Sequence, residues 1–354
     1  MDVAIIGAAG ACGRQLATQL LDRRVVPETA RLQLVGHRGG TSETELWGLR
    51  ADLEDAFDDW SPAIELVLDP ADVRADVVVM LAGATVSLDL NAPVDRAALG
   101  RTNAALFEEY ARTFAAWERP PIVVVQSNPV ELGVHIFAQH LPPRRVLGAA
   151  GWSDTLRFRH ELAVELGVRR REVSAFVLGQ HGDHLVPAWS LVRVHGMTAD
   201  EAQERVAQIR GGRALADLPG QIVAARSEVL DLIRSGRVQD AYDRVRGLPA
   251  DLRVAVKPFF TNFTSGRTTE AVTAHAAADI VAAVVEGRWQ GIPAQVVDPD
   301  RWGGLTGPLA IPVVLGPNGW LATVAADLAD DERAALQVAD AAVSASIAGV
   351  LDAR

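Results

Sequence analysis

The chain has one cysteine, one lysine and no basic run longer than the three arginines 169–171. Cys12 has no partner for an internal disulfide, which fits a reducing compartment. One thiol also excludes a structural zinc site built on several cysteines. A formal net charge of -11 without a basic block argues against nucleic acid or an anionic membrane as partner. No HExxH-type spacing occurs, so no metal is expected. The first apolar run, Val3 to Ile6, is too short for a leader, and no apolar run nears the roughly 20 residues that cross a bilayer. A soluble cytoplasmic protein is expected. The eight tryptophans are scattered and are expected to serve packing or an interface.

What the chain does have is length and apolar content: 354 residues, 49% of them hydrophobic, enough for two domains. Val3-Ile6 is a buried strand, Gly7-Ala8-Ala9-Gly10-Ala11-Cys12-Gly13 a turn, and Arg14 to Asp22 a helix with Leu16, Leu20 and Leu21 on one face. Further strands are expected at 32–35, 64–68, 77–81 and 122–125. Ala51 to Asp59 is expected on a helix surface, and a second helix from Asp95 through Trp117. Such alternation over residues 1–150 predicts a doubly wound parallel sheet, with ligands at the carboxyl ends of its strands. Gly7, Gly36, Gly83 and Asn128 fall at such ends. After Gly151 the pattern changes, and residues 151–354 are expected to form an α+β substrate domain. Its helices are expected at 155–165, 198–209, 219–234, 271–285 and 331–350. Its strands are expected at 172–178, 294–297 and 311–315, the last closed by Gly316-Pro317-Asn318-Gly319.

Strand, glycine-rich turn and helix together suit a dinucleotide. Glycines let the backbone approach a pyrophosphate, and the helix start offers N–H groups and the positive dipole end. Here Gly7, Gly10, Ala11 and Gly13 form a GxxGxxG rather than a GxGxxG pattern. The second strand ends in Gly36-His37-Arg38, where an NAD site usually has an acid for the ribose hydroxyls. Without that carboxylate, and with Arg38 able to pair a 2′-phosphate, NADP is favoured over NAD.

Three stretches carry chemistry. His181 lies in Gly179-Gln180-His181-Gly182-Asp183, where imidazole can exchange a proton near neutral pH. Asp154 and Arg157 share one face of a predicted helix. A buried Asp can orient the imidazole, and a planar Arg fork fits a carboxylate. Asn128 is placed to bond substrate or nicotinamide. Together they fit hydride transfer between a 2-hydroxy acid and a nicotinamide.

The residues GAAGACG at 7–13, QSNPV at 126–130, SDTLRFR at 153–159, GQHGDHLVPAWS at 179–190 and IPVVLGPNG at 311–319 resemble, in this order, the lactate/malate dehydrogenase family, closest to its malate branch. The resemblance implies a Rossmann domain and an NAD(P)-dependent oxidoreductase acting on a CH–OH group, a homodimer or homotetramer. It implies His181 as proton acceptor, Asp154 as its partner, Arg157 as carboxylate fork and Asn128 as substrate contact. It makes Asn103, with Gly83 and Gln126, a cofactor contact, and Arg96 the loop arginine that polarises the carbonyl. The malate branch has a second loop arginine for the far carboxylate. Here Ala84 to Asn91 has none, contains Asp89 and is about four residues longer than the family pattern. This disfavours ordinary malate, and Leu88 and Leu90 suit an apolar or larger pocket. Arg267, where the malate branch has small residues, is the alternative source of that charge. The glycine ending the second strand is similar to NADP-using malate enzymes.

Other classes fit less well. Tyr110 and Tyr242 have no lysine one turn away, unlike short-chain dehydrogenases. Cys12 sits in the phosphate turn and suits neither the Cys–His metal site of NAD-dependent glycosidases nor a cysteine nucleophile. A nucleotide-binding sensor that lost turnover is the competing class, and the intact His181, Asp154 and Arg157 weigh against it.

Overall fold

The computed structural model describes residues 1–85, 96–266 and 269–353. Six short runs form a parallel sheet in the order β3-β2-β1-β4-β5-β6. They are β1 (Val3–Ile6), β2 (Arg31–Val35), β3 (Ala63–Val67), β4 (Val77–Met80), β5 (Ile122–Val125) and β6 (Val146–Gly148). All residues of β1, β4, β5 and β6 are buried, which explains unbroken Val/Ile runs in place of alternation. Between strands run α1 (Ala11–Asp22), α2 (Gly40–Phe57), α3 (Arg96–Ala115) and α4 (Val130–His140). The order reverses between β1 and β4, which opens a crevice at their carboxyl ends. The acidic stretch 51–59 lies mainly in the second half of α2, which ends at Phe57.

The second half begins with α5 (Ala150–Leu166) and the short strands β7 (Val173–Ser174), β8 (Val177–Gly179), β9 (Leu185–Pro187) and β10 (Arg193–Val194). Five helices follow: α6 (Ala199–Arg210), α7 (Leu218–Arg234), α8 (Val238–Arg246), α9 (Ala250–Ser265) and α10 (Glu270–Val285). Then come β11 (Gln290–Val296), β12 (Leu309–Gly316), β13 (Gly319–Thr323) and α11 (Asp330–Leu351). β11 pairs antiparallel with β6 through Gln295 and Gly148, and β12 continues the sheet to β8 and β9. The two halves therefore share one hydrogen-bonded sheet.

Two expectations change. The run 172–178 is not one strand: β7 pairs β10 in a separate ribbon while β8 joins the main sheet, so the chain changes sheets at Ala175-Phe176. The alanine-rich helix expected at 271–285 is found as α10, packed within its own chain. Ala276, Ala277 and Ala278 are fully buried, and the helix packs against α1, α5 and β12 of its own chain. Contrary to the sequence expectation, α11 is long and apolar enough to cross a membrane by length and composition. Its stripe Leu336, Ala339, Val343, Ile347 and Val350 is buried here, and the helix packs against α3.

The β1–α1 turn shows why a side chain is excluded. A Cβ on Gly13 would stand 2.4 Å from the Gly7 carbonyl oxygen and 2.6 Å from the Ala8 Cα. Both neighbours are backbone and cannot yield without moving the turn. Gly13→Ala is expected to lower stability by about 2 kcal/mol, as overpacking does. Urea unfolding measures it, and an unchanged midpoint would contradict this packing.

Candidate active site

The site forms where α5 passes beneath the β8–β9 hairpin. α5 starts right after β6 because Gly151 leaves room: its N–H donates to the Gln295 Oε1 at 3.1 Å, and a Cβ there would stand 2.7 Å from Ala310 Cβ. One turn on, Asp154 and Arg157 share a face, as the spacing predicts. The hairpin carries His181 at its tip, where the Gln180 N–H donates to the His184 carbonyl at 3.2 Å. The Val177 N–H donates to Thr155 Oγ1 at 2.9 Å, which pins β8 onto α5.

His181 Nδ1 lies 2.7 Å from Asp154 Oδ2, and Arg157 Nη1 donates to Asp154 Oδ1 at 2.8 Å. One carboxylate thus takes both partners, with only 4% of its side chain exposed. Burial pushes the Asp154 carboxyl up, but His181 and Arg157 outweigh that and hold it below its ordinary value. An ionised Asp154 is acceptor-only, so His181 Nδ1 bears the hydrogen and Nε2 is left as the basic nitrogen. Burial lowers the Arg157 guanidinium, against the opposing pull of Asp154. Arg157 Nη2 donates to Thr269 Oγ1 at 2.8 Å. Asp154 and Thr269 take two of its five N–H donors, leaving three for a carboxylate.

Three of these supports carry no signal of their own in the sequence. The His181 N–H donates to Glu131 Oε1 at 2.7 Å, and Gln295 Nε2 lies 3.5 Å from the same oxygen. Glu131 directly follows the Gln126-to-Val130 stretch, which is the only local hint. Gln295 sits in a strand of ordinary composition, and Thr269 in a run of threonines.

The residues expected to hold a cofactor lie along the carboxyl edge of the parallel strands. Gly7 and Ala8 donate to the Val35 carbonyl at 2.9 and 3.2 Å, which places the turn beside the end of β2. Gly10 is exposed at the start of α1, with Ala11 next to it, and Gly13 is the buried pivot. This cradle, which a Cβ at Gly13 would fill, fits a pyrophosphate. Gly36, His37 and Arg38 follow β2, with His37 and Arg38 exposed. Gly83 follows β4. Gln126 ends β5 with its Oε1 buried and without a hydrogen-bond partner among the described residues, and Asn128 is exposed beside it. An acceptor without a partner at this crevice fits a carboxamide or hydroxyl donor. Asn103 bonds the backbone on both sides of the crevice. Its Oδ1 accepts from the Ala84 N–H at 2.7 Å, and its Nδ2 donates to the Ala84 and Asn128 carbonyls at 3.0 and 2.6 Å. It ties the end of β4 to the end of β5. Arg96 opens α3, and its side chain lies outside the described residues, as do Leu88, Asp89, Leu90 and Arg267. Among the described residues no cluster of His, Cys, Asp and Glu suits a metal.

Residues 1–148 match the family model described as lactate/malate dehydrogenase, NAD binding domain. Malate dehydrogenase of Chlorobium phaeobacteroides is 34% identical over 139 residues, which are 38% of this chain and 44% of that protein. Malate dehydrogenase of Chlorobium luteolum is 29% identical over 208 residues, 57% of this chain and 63% of that protein. The chain thus spans less than two thirds of the length of these two curated relatives. Among solved structures, the lactate dehydrogenase of Cryptosporidium parvum, complexed with lactic acid and nicotinamide adenine dinucleotide, superposes with a TM-score of 0.76 at 22% identity, covering 99% of this chain and 97% of that one. That likeness is one of fold.

Replacing Asp154 leaves Arg157 buried without its anion. Asp154→Asn is expected to cost about 3 kcal/mol near pH 7. A carboxyl held below its ordinary value stabilises the fold above its unfolded pKa, and that share is lost as pH falls through the folded value. The gap between wild type and Asp154→Asn in urea unfolding therefore narrows progressively as pH falls below about 4. A gap that stays constant as pH falls below about 4 would contradict the pairing.

Proposed function

We propose that this chain belongs to the lactate/malate dehydrogenase family, whose NAD binding domain matches residues 1–148, and interconverts a 2-hydroxy acid and the matching 2-oxo acid with a nicotinamide cofactor. The observation that carries the reading is Asp154 holding His181 and Arg157 on one buried carboxylate beside a dinucleotide-type crevice. The nicotinamide, when bound, accepts or donates the hydride. Gly7, Gly10, Ala11 and Gly13 would hold its pyrophosphate, and Gly83, Gln126 and Asn128 line the crevice deeper in.

The protein's own residues do the rest. Arg157 grips the substrate carboxylate with its three remaining donors and so fixes which carbon faces the crevice. His181 Nε2 takes the hydroxyl proton as the hydride leaves, and Asp154 stabilises the imidazolium. In the reverse direction the imidazolium returns that proton to the carbonyl oxygen. Arg96 is assigned the polarising charge on that oxygen, and Asn128 a hydrogen bond to substrate or cofactor. A homodimer or homotetramer in the cytoplasm is the proposed state, and sedimentation velocity reads its mass.

The substrate's far end is proposed to be uncharged and apolar. The support is the sequence from Ala84 to Asn91, which lacks a second arginine and brings Asp89 and two leucines. Oxaloacetate, with Arg267 as the counter-charge, is the second reading.

NADP is favoured at the adenosine end. A Cβ on Gly36 would stand 2.6 Å from Leu46 Cδ1 and 2.8 Å from Ser42 Oγ, so an acid there would require both side chains to move. Arg38 is exposed beside it. One observation favours NAD: Glu43 Oε2 accepts from the Gly39 N–H at 2.7 Å and adds a carboxylate to this loop.

A spectrophotometric panel of 2-oxo acids, each with NADPH and NADH, tests these readings together. A monocarboxylic 2-oxo acid with NADPH is expected to give the highest kcat/KM. His181→Asn is expected to lower kcat by about a thousandfold with cofactor binding intact. Absence of turnover across the panel favours the sensor reading, and an NADH preference ends the NADP reading. If oxaloacetate leads and Arg267→Ala abolishes that lead, the malate reading stands.

A further inference from the structure

The ring of His181 and its backbone are held from opposite halves of the chain. Asp154 of α5 takes the ring at Nδ1, whereas Glu131 of α4 takes the amide: the His181 N–H donates to Glu131 Oε1 at 2.7 Å. Glu131 is the second residue of α4, directly after Asn128, Pro129 and Val130, and it is buried. An acid in that first turn suits the helix dipole. Gln295 of β11, fully buried, places Nε2 3.5 Å from the same oxygen, and its Oε1 accepts from the Gly151 N–H in the first turn of α5. The chain around His181 does little to fix it. Gly179 stands at φ +82° and Gly182 at φ +140°, so no side chain stiffens the backbone at either position. A ring held at one nitrogen can still pivot on that bond. Fixing the amide as well leaves Nε2 a single place.

We infer that Glu131 is a positioning residue for proton transfer: from the N-terminal half it fixes the His181 backbone, and so the distance and angle at which Nε2 meets the substrate hydroxyl. The inference rests on the reading of His181 as the proton acceptor. Proton transfer needs heavy atoms about 2.6–3.2 Å apart, and a misplacement of about 1 Å costs about a hundredfold in rate. A carboxylate oxygen makes the stronger kind of hydrogen bond to an N–H, which suits a point that must not give. The two groups at Glu131 Oε1 are both donors. A side-chain amide would therefore turn its oxygen to the same place. Glu131 makes further contacts as well, so the variants are chosen to isolate this one bond.

The experiment compares Glu131→Leu, which removes the acceptor, with Glu131→Gln, which keeps an oxygen there and removes the charge. The full chain is used, with the 2-oxo acid that it turns over fastest and the nicotinamide cofactor that it prefers. Glu131→Leu is expected to lose about a hundredfold in kcat, with the Kd of the reduced cofactor, read by its fluorescence, unchanged. Glu131→Gln is expected to keep kcat within about threefold of wild type. Hydrogen exchange at the His181 amide, read by NMR, is expected to quicken at least about tenfold in Glu131→Leu and not in Glu131→Gln. The Val177 amide, which donates to Thr155 Oγ1 at the start of the hairpin, is the control and is expected to keep its rate. Wild-type kcat in Glu131→Leu overturns the inference, even if the His181 amide exchanges faster. Equal losses in the two variants overturn it too, because the charge or another contact then carries the effect. Faster exchange at both amides means general loosening and likewise overturns it. Should Glu131→Leu not fold, Glu131→Asp takes its place: its carboxylate is one methylene short of the amide, and kcat is expected to fall while the Val177 rate holds. A wild type that turns over no 2-oxo acid sinks the functional reading and this inference together, whereas an active wild type matched by Glu131→Leu sinks the inference alone.

Discussion

A single buried carboxylate organises this molecule. Asp154 cannot stay charged out of water without partners, and its two oxygens are taken by His181 and Arg157. That arrangement requires α5 to sit still, and the surroundings of α5 are built accordingly. Gly151 and Gln295 seat its first turn against β11. Trp152 Nε1 donates to Asp279 Oδ2 at 3.0 Å, and Arg23, directly after α1, donates to the other oxygen of Asp279 at 2.8 Å, so the end of the helix after the glycine turn and the helix bearing Asp154 lean on one acid of α10. Further along, Glu161 is buried and meets Arg253 at 2.6 Å and Lys257 at 2.5 Å, both on α9. The lone lysine of the chain thus serves the seat of the helix that carries Asp154.

Much of this was legible in the sequence, for local reasons. β1, β2, β4 and β5 are short runs of Val, Ile and Leu, and their neighbours in the sheet did not need to be known to find them. The GxxGxxG turn and the Asp154–Arg157 spacing are local too, since one glycine turn and one helical turn contain them. α4 escaped because Gly133 breaks its pattern. That glycine is chosen by packing, as a Cβ there would stand 2.7 Å from Val125 Cγ1. α8 and α9 escaped because one is short and rich in charge and the other contains Pro258.

The supports of the site were not legible, because each joins distant residues. Glu131 and His181 are 50 positions apart, Arg157 and Thr269 are 112, and Gly151 and Gln295 are 144. No periodicity records such pairs. Asn103 is the sharpest case. The resemblance makes it a cofactor contact, and its amide also bonds the backbone at Ala84 and Asn128. It shapes the crevice from behind.

The shared sheet also has a consequence for synthesis. β6 is a fully buried strand whose second neighbour, β11, begins only at Gln290. When residues 1–148 have left the ribosome, their parallel sheet ends in an open, apolar edge. At ordinary translation rates that edge waits on the order of ten seconds for its partner strand. Unpaired edges of this kind recruit other strands, including those of neighbouring nascent chains. The protein thus depends on its C-terminal half to finish its N-terminal one, and a chaperone that shields β6 would act in that interval.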